Sequence, residues 1–319
     1  MIEVADLTKR FGRITAVERL SFTVPAGRVV GFLGPNGAGK TTTMRMILGL
    51  DHPTSGTVRV NGREFAQLDA PMREVGAVLD AGGIHPGMTA RTHLRWLASA
   101  GRIPARRVGE VLDAVGLTEA AHRKVGGFSL GMRQRLGIAS ALLGDPATLL
   151  LDEPVNGLDP EGVLWIRTLM RDLAAEGRTV FLSSHLMNEM EETADRVVVI
   201  GRGHLVADMD IEEFLRRGSS GYVSVATPHL SLLTTALSEA GAAVEPAADG
   251  SRTASEERLA VRGLTAAQVG ELAARYGITL HELTPQAASL EETFMELTRD
   301  SAQYTASGSV GGSGGDRSR

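Results

Sequence analysis

The sequence predicts an α/β fold: a phosphate-loop core with a mostly parallel sheet, an antiparallel N-terminal edge and an inserted helical subdomain, then a smaller α+β, ferredoxin-like domain. Three observations carry this. Gly34-Pro35-Asn36-Gly37-Ala38-Gly39-Lys40-Thr41 is a complete G-x-x-x-x-G-K-[ST] loop between an apolar run and a helix-forming segment. Apolar runs alternate with helical segments again from residue 146. After about residue 218 the order becomes β-α-β-β-α-β.

The elements follow in order. Met1 to Val4 leads directly into a strand-like segment, which does not read as a signal peptide. Arg28 to Leu33 (RVVGFL) reads as a buried strand, and Thr41 to Leu48 as a helix stopped at Gly49. Thr57 to Val60 with Asn61-Gly62 predicts an edge hairpin. Residues 86–145 are mostly helical: Thr89 caps a helix through Ala100 stopped by Gly101, and Arg106 to Val115 ends at Gly116. Thr148 to Leu151, Thr179 to Ser183 and Arg196 to Ile200 are buried strands, with a helix at 161–176 between the first two.

In the C-terminal part, strands are expected at Tyr222 to Ala226, Ala242 to Glu245, Arg258 to Val261 and Ile278 to Glu282. Helices are expected at Leu230 to Ala240 and Thr265 to Tyr276, the second with a Thr265/Gln268 capping box and Gly277 as its stop. A last helix begins at Ser289, with Glu292 in the capping-box position. The domains are therefore 1–218, with the helical insert at about 86–145, then 219–299, then a Ser/Gly-rich tail, 300–319, expected to be disordered.

Composition narrows the function classes. The chain has 319 residues, 43% hydrophobic and 22% charged, which fits a globular protein of about two domains. A net charge of −5 and a pI near 5.9 argue against nucleic acid as a partner. The absence of cysteine excludes disulfides and thiolate-held metal. No apolar stretch approaches the roughly 20 residues that span a bilayer, so any membrane-crossing part must belong to another chain.

The glycine-rich loop has a chemical reading. Gly34, Gly37 and Gly39 let the backbone curl against a polyphosphate, and the following helix N-terminus, with Thr42 in its first turn, adds inward N–H groups. Lys40 brings a cation to the β- and γ-phosphates, and the Thr41 hydroxyl can ligate Mg²⁺. Leu149-Leu150-Leu151-Asp152-Glu153 is an apolar strand ending in acids. Asp152 is expected to hold Mg²⁺ through water, and Glu153, one residue further along the strand, to act at the γ-phosphate as base or water-orienter.

Phe128-Ser129-Leu130-Gly131-Met132-Arg133-Gln134-Arg135 resembles the signature sequence of ABC-type ATPases. Gly157-Leu158-Asp159 looks like that family's D-loop, His185 like its switch histidine, and Phe11, before Gly12, like the aromatic that stacks on adenine. The resemblance runs from residue 1 to about 215. It implies an ATP- and Mg²⁺-dependent ATPase in which Ser129 and Gly131 open a helix facing the γ-phosphate of a second chain. One signature and one phosphate loop then imply a head-to-tail homodimer with shared sites. It also implies a separate transmembrane permease, with this chain peripheral at the cytoplasmic face of the membrane, and residues about 81–95 with the helical insert as docking surface. Members usually carry Gln after Val78-Leu79, where this chain has Asp80, a carboxylate also able to ligand Mg²⁺. Leu130 and Met132 replace the usual Gly and Gln, a variant similar to the drug- and antibiotic-exporter branch, as is the C-terminal domain ending in Leu290-Glu291-Glu292-Thr293-Phe294. The competing expectations are an ABC-type ATPase acting on DNA or ribosomes, and a non-ABC phosphate-loop kinase.

Overall fold

The computed structural model describes residues 1–79, 83–185, 187–217, 222–246 and 258–286. The last expected helix, from Ser289, and the 300–319 tail lie outside the described residues. The chain divides into two compact units, Met1–Ile211 and Glu212–Arg319.

In the first unit, β1 (Ile2–Phe11), β2 (Ile14–Val24), β3 (Arg28–Leu33), α1 (Lys40–Ile47) and β4 (Ser55–Val60) come first. The short α2 (Pro71–Glu74), β5 (Val75–Val78), α3 (Ala90–Ala100), α4 (Arg106–Ala114) and α5 (Leu130–Leu142) follow. Then come β6 (Thr148–Asp152), α6 (Pro160–Ala175), β7 (Thr179–Ser184), α7 (Met187–Thr193), β8 (Arg196–Gly201), β9 (His204–Asp210) and α8 (Ile211–Arg217), which starts at the boundary between the units.

Two sheets are packed here. A three-stranded antiparallel sheet has the order β2-β1-β4, and a six-stranded sheet the order β5-β6-β7-β3-β8-β9. Every pairing in the larger sheet is parallel except β8–β9. That antiparallel edge was not expected from the sequence. The tight turn Arg202-Gly203 folds β9 back, and Arg196 pairs with Asp208 at 2.8 Å across the two strands. The expected hairpin at 57–62 is a turn closed by a single Val60–Arg63 bridge, and β4 takes β1 as its partner instead.

Burial explains the strand compositions. β3 lies between β7 and β8 and is buried from Val29 to Leu33, as a central parallel strand covered on both faces must be. Phe22 of β2, Phe32 of β3 and Phe181 of β7 form a triangle with ring centroids 5.1–5.7 Å apart, joining the two sheets through one core. The helical insert starts where its caps predict: Thr89 Oγ1 accepts the Thr92 N–H at 3.1 Å, and Gly101 closes α3.

In the second unit, β10 (Tyr222–Ala226), α9 (Leu230–Glu239), β11 (Ala243–Pro246), β12 (Arg258–Arg262), α10 (Ala266–Arg275) and β13 (Glu282–Gln286) form an antiparallel sheet of order β11-β12-β10-β13. This is the ferredoxin-like arrangement the sequence predicts, with the Thr265/Gln268 capping box in place. The two helices pack through Leu233, Leu237 and Val269 onto Val223, Val225 and Val261. One strand is corrected. The expected Ile278–Glu282 strand is instead Glu282–Gln286. Ile278 drops straight into the core after the Gly277 stop, and the chain must travel to Ala226 before pairing starts; the His281 N–H reaches the Ala226 carbonyl at 2.7 Å. Pro285 is tolerated because β13 is an edge strand. Among the described residues no helix is long and apolar enough to cross a membrane.

Phe181→Ala should destabilise the first unit by about 3–5 kcal/mol, because it opens a cavity where the two sheets meet. Urea unfolding followed by circular dichroism checks this, and a loss below about 1 kcal/mol would contradict the shared core.

Candidate active site

β3 ends at Leu33, and the chain turns through Gly34–Gly39 into α1 at the C-terminal edge of the parallel sheet. Gly39 has φ 104°, and a Cβ there would lie 2.6 Å from the Ala16 carbonyl oxygen, so no side chain fits. Pro35, Asn36 and Gly37 are exposed at the crest, Ala38 is buried beneath them, and Thr42 is half-buried in the first turn of α1. Lys40 is only 7% exposed and donates to the Gly34 carbonyl at 2.6 Å. Burial pushes its pKa down, while Glu153 and Asp152 act in the opposite direction.

The acids at the end of β6, Asp152 and Glu153 just beyond it, lie close to this loop. Thr41 Oγ1 donates to Asp152 Oδ2 at 2.7 Å, although 111 positions separate them. The fully buried Ser183 donates its hydroxyl to Asp152 Oδ1 and accepts the Glu153 N–H at 3.0 Å. Glu153 Oε2 lies 2.7 Å from His185 Nδ1. Partly exposed polar contacts of this kind contribute about 0–1 kcal/mol, so the pair is better explained by chemistry than by stability. Strand β6 stops at Asp152, and Glu153 sits beyond it with φ 50°, which corrects the expectation that Glu153 continues the strand.

The Thr41 hydroxyl and the Asp152 carboxylate are adjacent hard oxygens, the donor type Mg²⁺ prefers. No group of three or more acidic, His or Cys side chains able to hold a metal gathers among the described residues. Asp80 lies outside the described residues.

Lys40, Thr41, Asp152, Glu153 and His185 thus meet around one point. The other expected residues stand apart. Phe11, at the end of β1, is 50% exposed with Lys9 Nζ 4.9 Å from its ring centroid, so it is free to stack and is not a core residue. Ser129 caps α5 by accepting the Met132 N–H at 3.2 Å. Ser129 and Leu130 are exposed, and Gly131 is half-buried against Gly157. Asp159 accepts the Gly162 N–H at 2.8 Å, so its carboxylate serves as the N-cap of α6.

Sequence reasoning missed two residues. Ser183, which joins both acids, carries no signal beyond its place two residues before His185. Gln134, 5% exposed, donates its amide to the Pro154 carbonyl at 3.0 Å and ties α5 to the turn after Glu153. A cleft of about 600 Å³ opens beside the two acids, lined by Asp152, Glu153, Gln134, Arg133, Pro86 and Val125. Beside it, the Arg135 guanidinium of α5 stacks 4.3 Å from the Trp165 ring of α6.

Residues 17–156 match the family model described as ABC transporter, and residues 221–291 match a domain of unknown function. The chain is 41% identical to the bacitracin transport ATP-binding protein BcrA of Enterococcus faecalis, over 68% of this chain and 71% of that protein. It is 35% identical to an uncharacterized ABC transporter ATP-binding protein, YhcH of Bacillus subtilis, over 95% of this chain and 97% of that one. A dimeric structure of the ATP-binding cassette MJ0796 in a post-hydrolysis state, bound to ADP and Pi, superposes with a TM-score of 0.61 at 26% identity, covering 66% of this chain and 99% of that chain.

Ser183→Ala leaves the Glu153 N–H and one Asp152 oxygen without their shared hydroxyl. A buried unsatisfied group costs about 1–3 kcal/mol, so the melting temperature should fall by several degrees and turnover should drop about tenfold. Wild-type values of both would show that the hydroxyl does not join the two acids.

Proposed function

The chain belongs to the ABC transporter family of ATP-binding proteins, and from that premise we propose that it powers export of a peptide-antibiotic or drug-like cargo through a separate membrane-spanning permease. It is an ATP-hydrolysing subunit. The observation that carries the residue-level reading is the meeting of Thr41–Asp152 and Glu153–His185 contacts, each 2.7 Å, at one edge of a parallel sheet.

The geometry supports the following roles. The Gly34–Thr42 backbone cradles the triphosphate, and Lys40 exchanges its carbonyl partner for the β/γ-phosphate oxygens. Thr41 and Asp152 would hold Mg²⁺, which would neutralise phosphate charge. Glu153 orients the attacking water and takes its proton, while His185 fixes the Glu153 carboxylate. Phe11 stacks on adenine. Ser129 and Gly131 present the N-terminus of α5 to the γ-phosphate of a second copy of the chain, as the dimeric relative supports. Closure of that dimer on ATP, and its reopening after hydrolysis, drives the permease, which docks on residues about 81–95 and the helical insert. On this reading the chain works as a peripheral subunit at the cytoplasmic face of a membrane. The cargo class rests on the relatives named for bacitracin transport, which also favour transport over action on DNA or ribosomes. A non-ABC kinase is set aside by the family.

Glu153→Gln should keep ATP binding and lower turnover by roughly 10²–10⁴, the contribution of a positioned base. Steady-state ATPase assays beside nucleotide titration check it, and near-wild-type hydrolysis would remove Glu153 from this role. On that background, Ser129→Arg should abolish ATP-driven dimerisation in sedimentation velocity runs while each monomer still binds nucleotide. A persisting dimer would show that α5 does not face a partner's phosphate.

A further inference from the structure

The helical insert carries a charge pattern that the catalytic reading leaves unused. Residues 83–109 hold five arginines and no Asp or Glu, in a chain whose net charge is −5. One of them, Arg107, is paired with Glu110 and Asp145. Arg91, Arg95, Arg102 and Arg106 are exposed and make no ion pair among the described residues. Arg91 and Arg95 share one side of the solvent face of α3, one turn apart, and Arg102 follows the helix end. The segment 121–124, bonded to the start of α3 through Arg91 N–H to Ala121 and the Thr89–Lys124 bridge, adds exposed Lys124.

Trp96, 60% exposed and among the most exposed large apolar side chains of the described chain, follows Arg95 about 100° further round the solvent side of α3. The opposite face, with Leu94 and Ala98, is buried, so nothing in the packing of α3 requires an outward indole. A helix that shows solvent both an exposed indole and unpaired guanidinium groups suits a boundary that is apolar on one side and anionic on the other. Phosphate oxygens accept bidentate bonds from Arg, and the ring settles at headgroup depth.

We propose that the outer face of α3 rests on anionic phospholipid headgroups, with Arg91, Arg95 and Arg102 on the phosphates and Trp96 at the interface. This adds a direct lipid contact to docking on the permease and rests on the membrane-side location proposed above. An acidic protein segment is the competing occupant, and it would not need the indole.

The test uses the full chain without permease, sedimented with vesicles of phosphatidylcholine alone or with one third phosphatidylglycerol. The wild type should bind the anionic vesicles several-fold better, and the difference should collapse as salt rises to about 0.5 M. Each arginine should contribute about fivefold, so Arg91→Gln/Arg95→Gln/Arg102→Gln should lower partitioning on the order of a hundredfold. In a Trp165→Phe background Trp96 is the sole indole, and its emission should shift to the blue on anionic vesicles alone. Basal ATPase activity should be unchanged in every variant, which separates this proposal from the catalytic reading. Wild-type indifference to phosphatidylglycerol, or undiminished binding by the triple variant, would overturn the lipid contact. Loss of only permease-stimulated ATPase in the triple variant would assign the patch to an acidic protein segment instead.

Discussion

Leu33 is level with Ser184, and Asp152 with Ser183, in one parallel register across β3, β7 and β6. Three strands from distant parts of the chain therefore end at the same height. The phosphate loop, the two acids and His185 leave the sheet there within hydrogen-bonding reach of one another. Antiparallel pairing would send alternate strand ends to opposite edges and scatter them. The Phe22–Phe32–Phe181 triangle makes the arrangement rigid, because each ring stands on a strand that either carries site residues or covers one that does.

At the joint between sheet and site, the backbone is held out of its relaxed form. Glu153 adopts a left-handed conformation, which costs a residue with a Cβ on the order of 1–3 kcal/mol. The Ser183 hydroxyl on its N–H, the Gln134 amide on the following carbonyl and His185 on its carboxylate offset that cost. The side chain is turned off the strand direction and into the cleft, where a continuing strand would have pointed it at its neighbours. Gln134 belongs to the helix whose N-terminus is read as serving a second chain's nucleotide. One hydrogen bond thus links that helix to the turn beside this chain's own acid.

What the sequence revealed tracks how local the determinants are. The phosphate loop is written within eight consecutive residues, the Thr89 and Ser129 caps and the Thr265 capping box within four each, and all stand where expected. Strand β9 was invisible because His204–Asp210 mixes charge with apolar residues, and its pairing depends on Arg196 supplying a partner for Asp208. The last strand was misplaced because Ile278 has strand character but is claimed by the helix–sheet core. Ser183 was missed for a similar reason. A serine in a buried run looks like filler until the strands on either side bring Asp152 to it.

The Arg135–Trp165 stack has an optical consequence. The guanidinium belongs to α5 and the indole to α6, so their 4.3 Å separation reports how the insert sits on the core. A cation on the ring face perturbs indole emission, and a shift of a few ångströms between the two helices removes it. With two tryptophans in the chain, replacing Trp96 leaves Trp165 as an unlabelled fluorophore at the contact between α5 and α6. A change in the separation of these two helices on adding nucleotide would then be read in real time, with no dye and no introduced thiol.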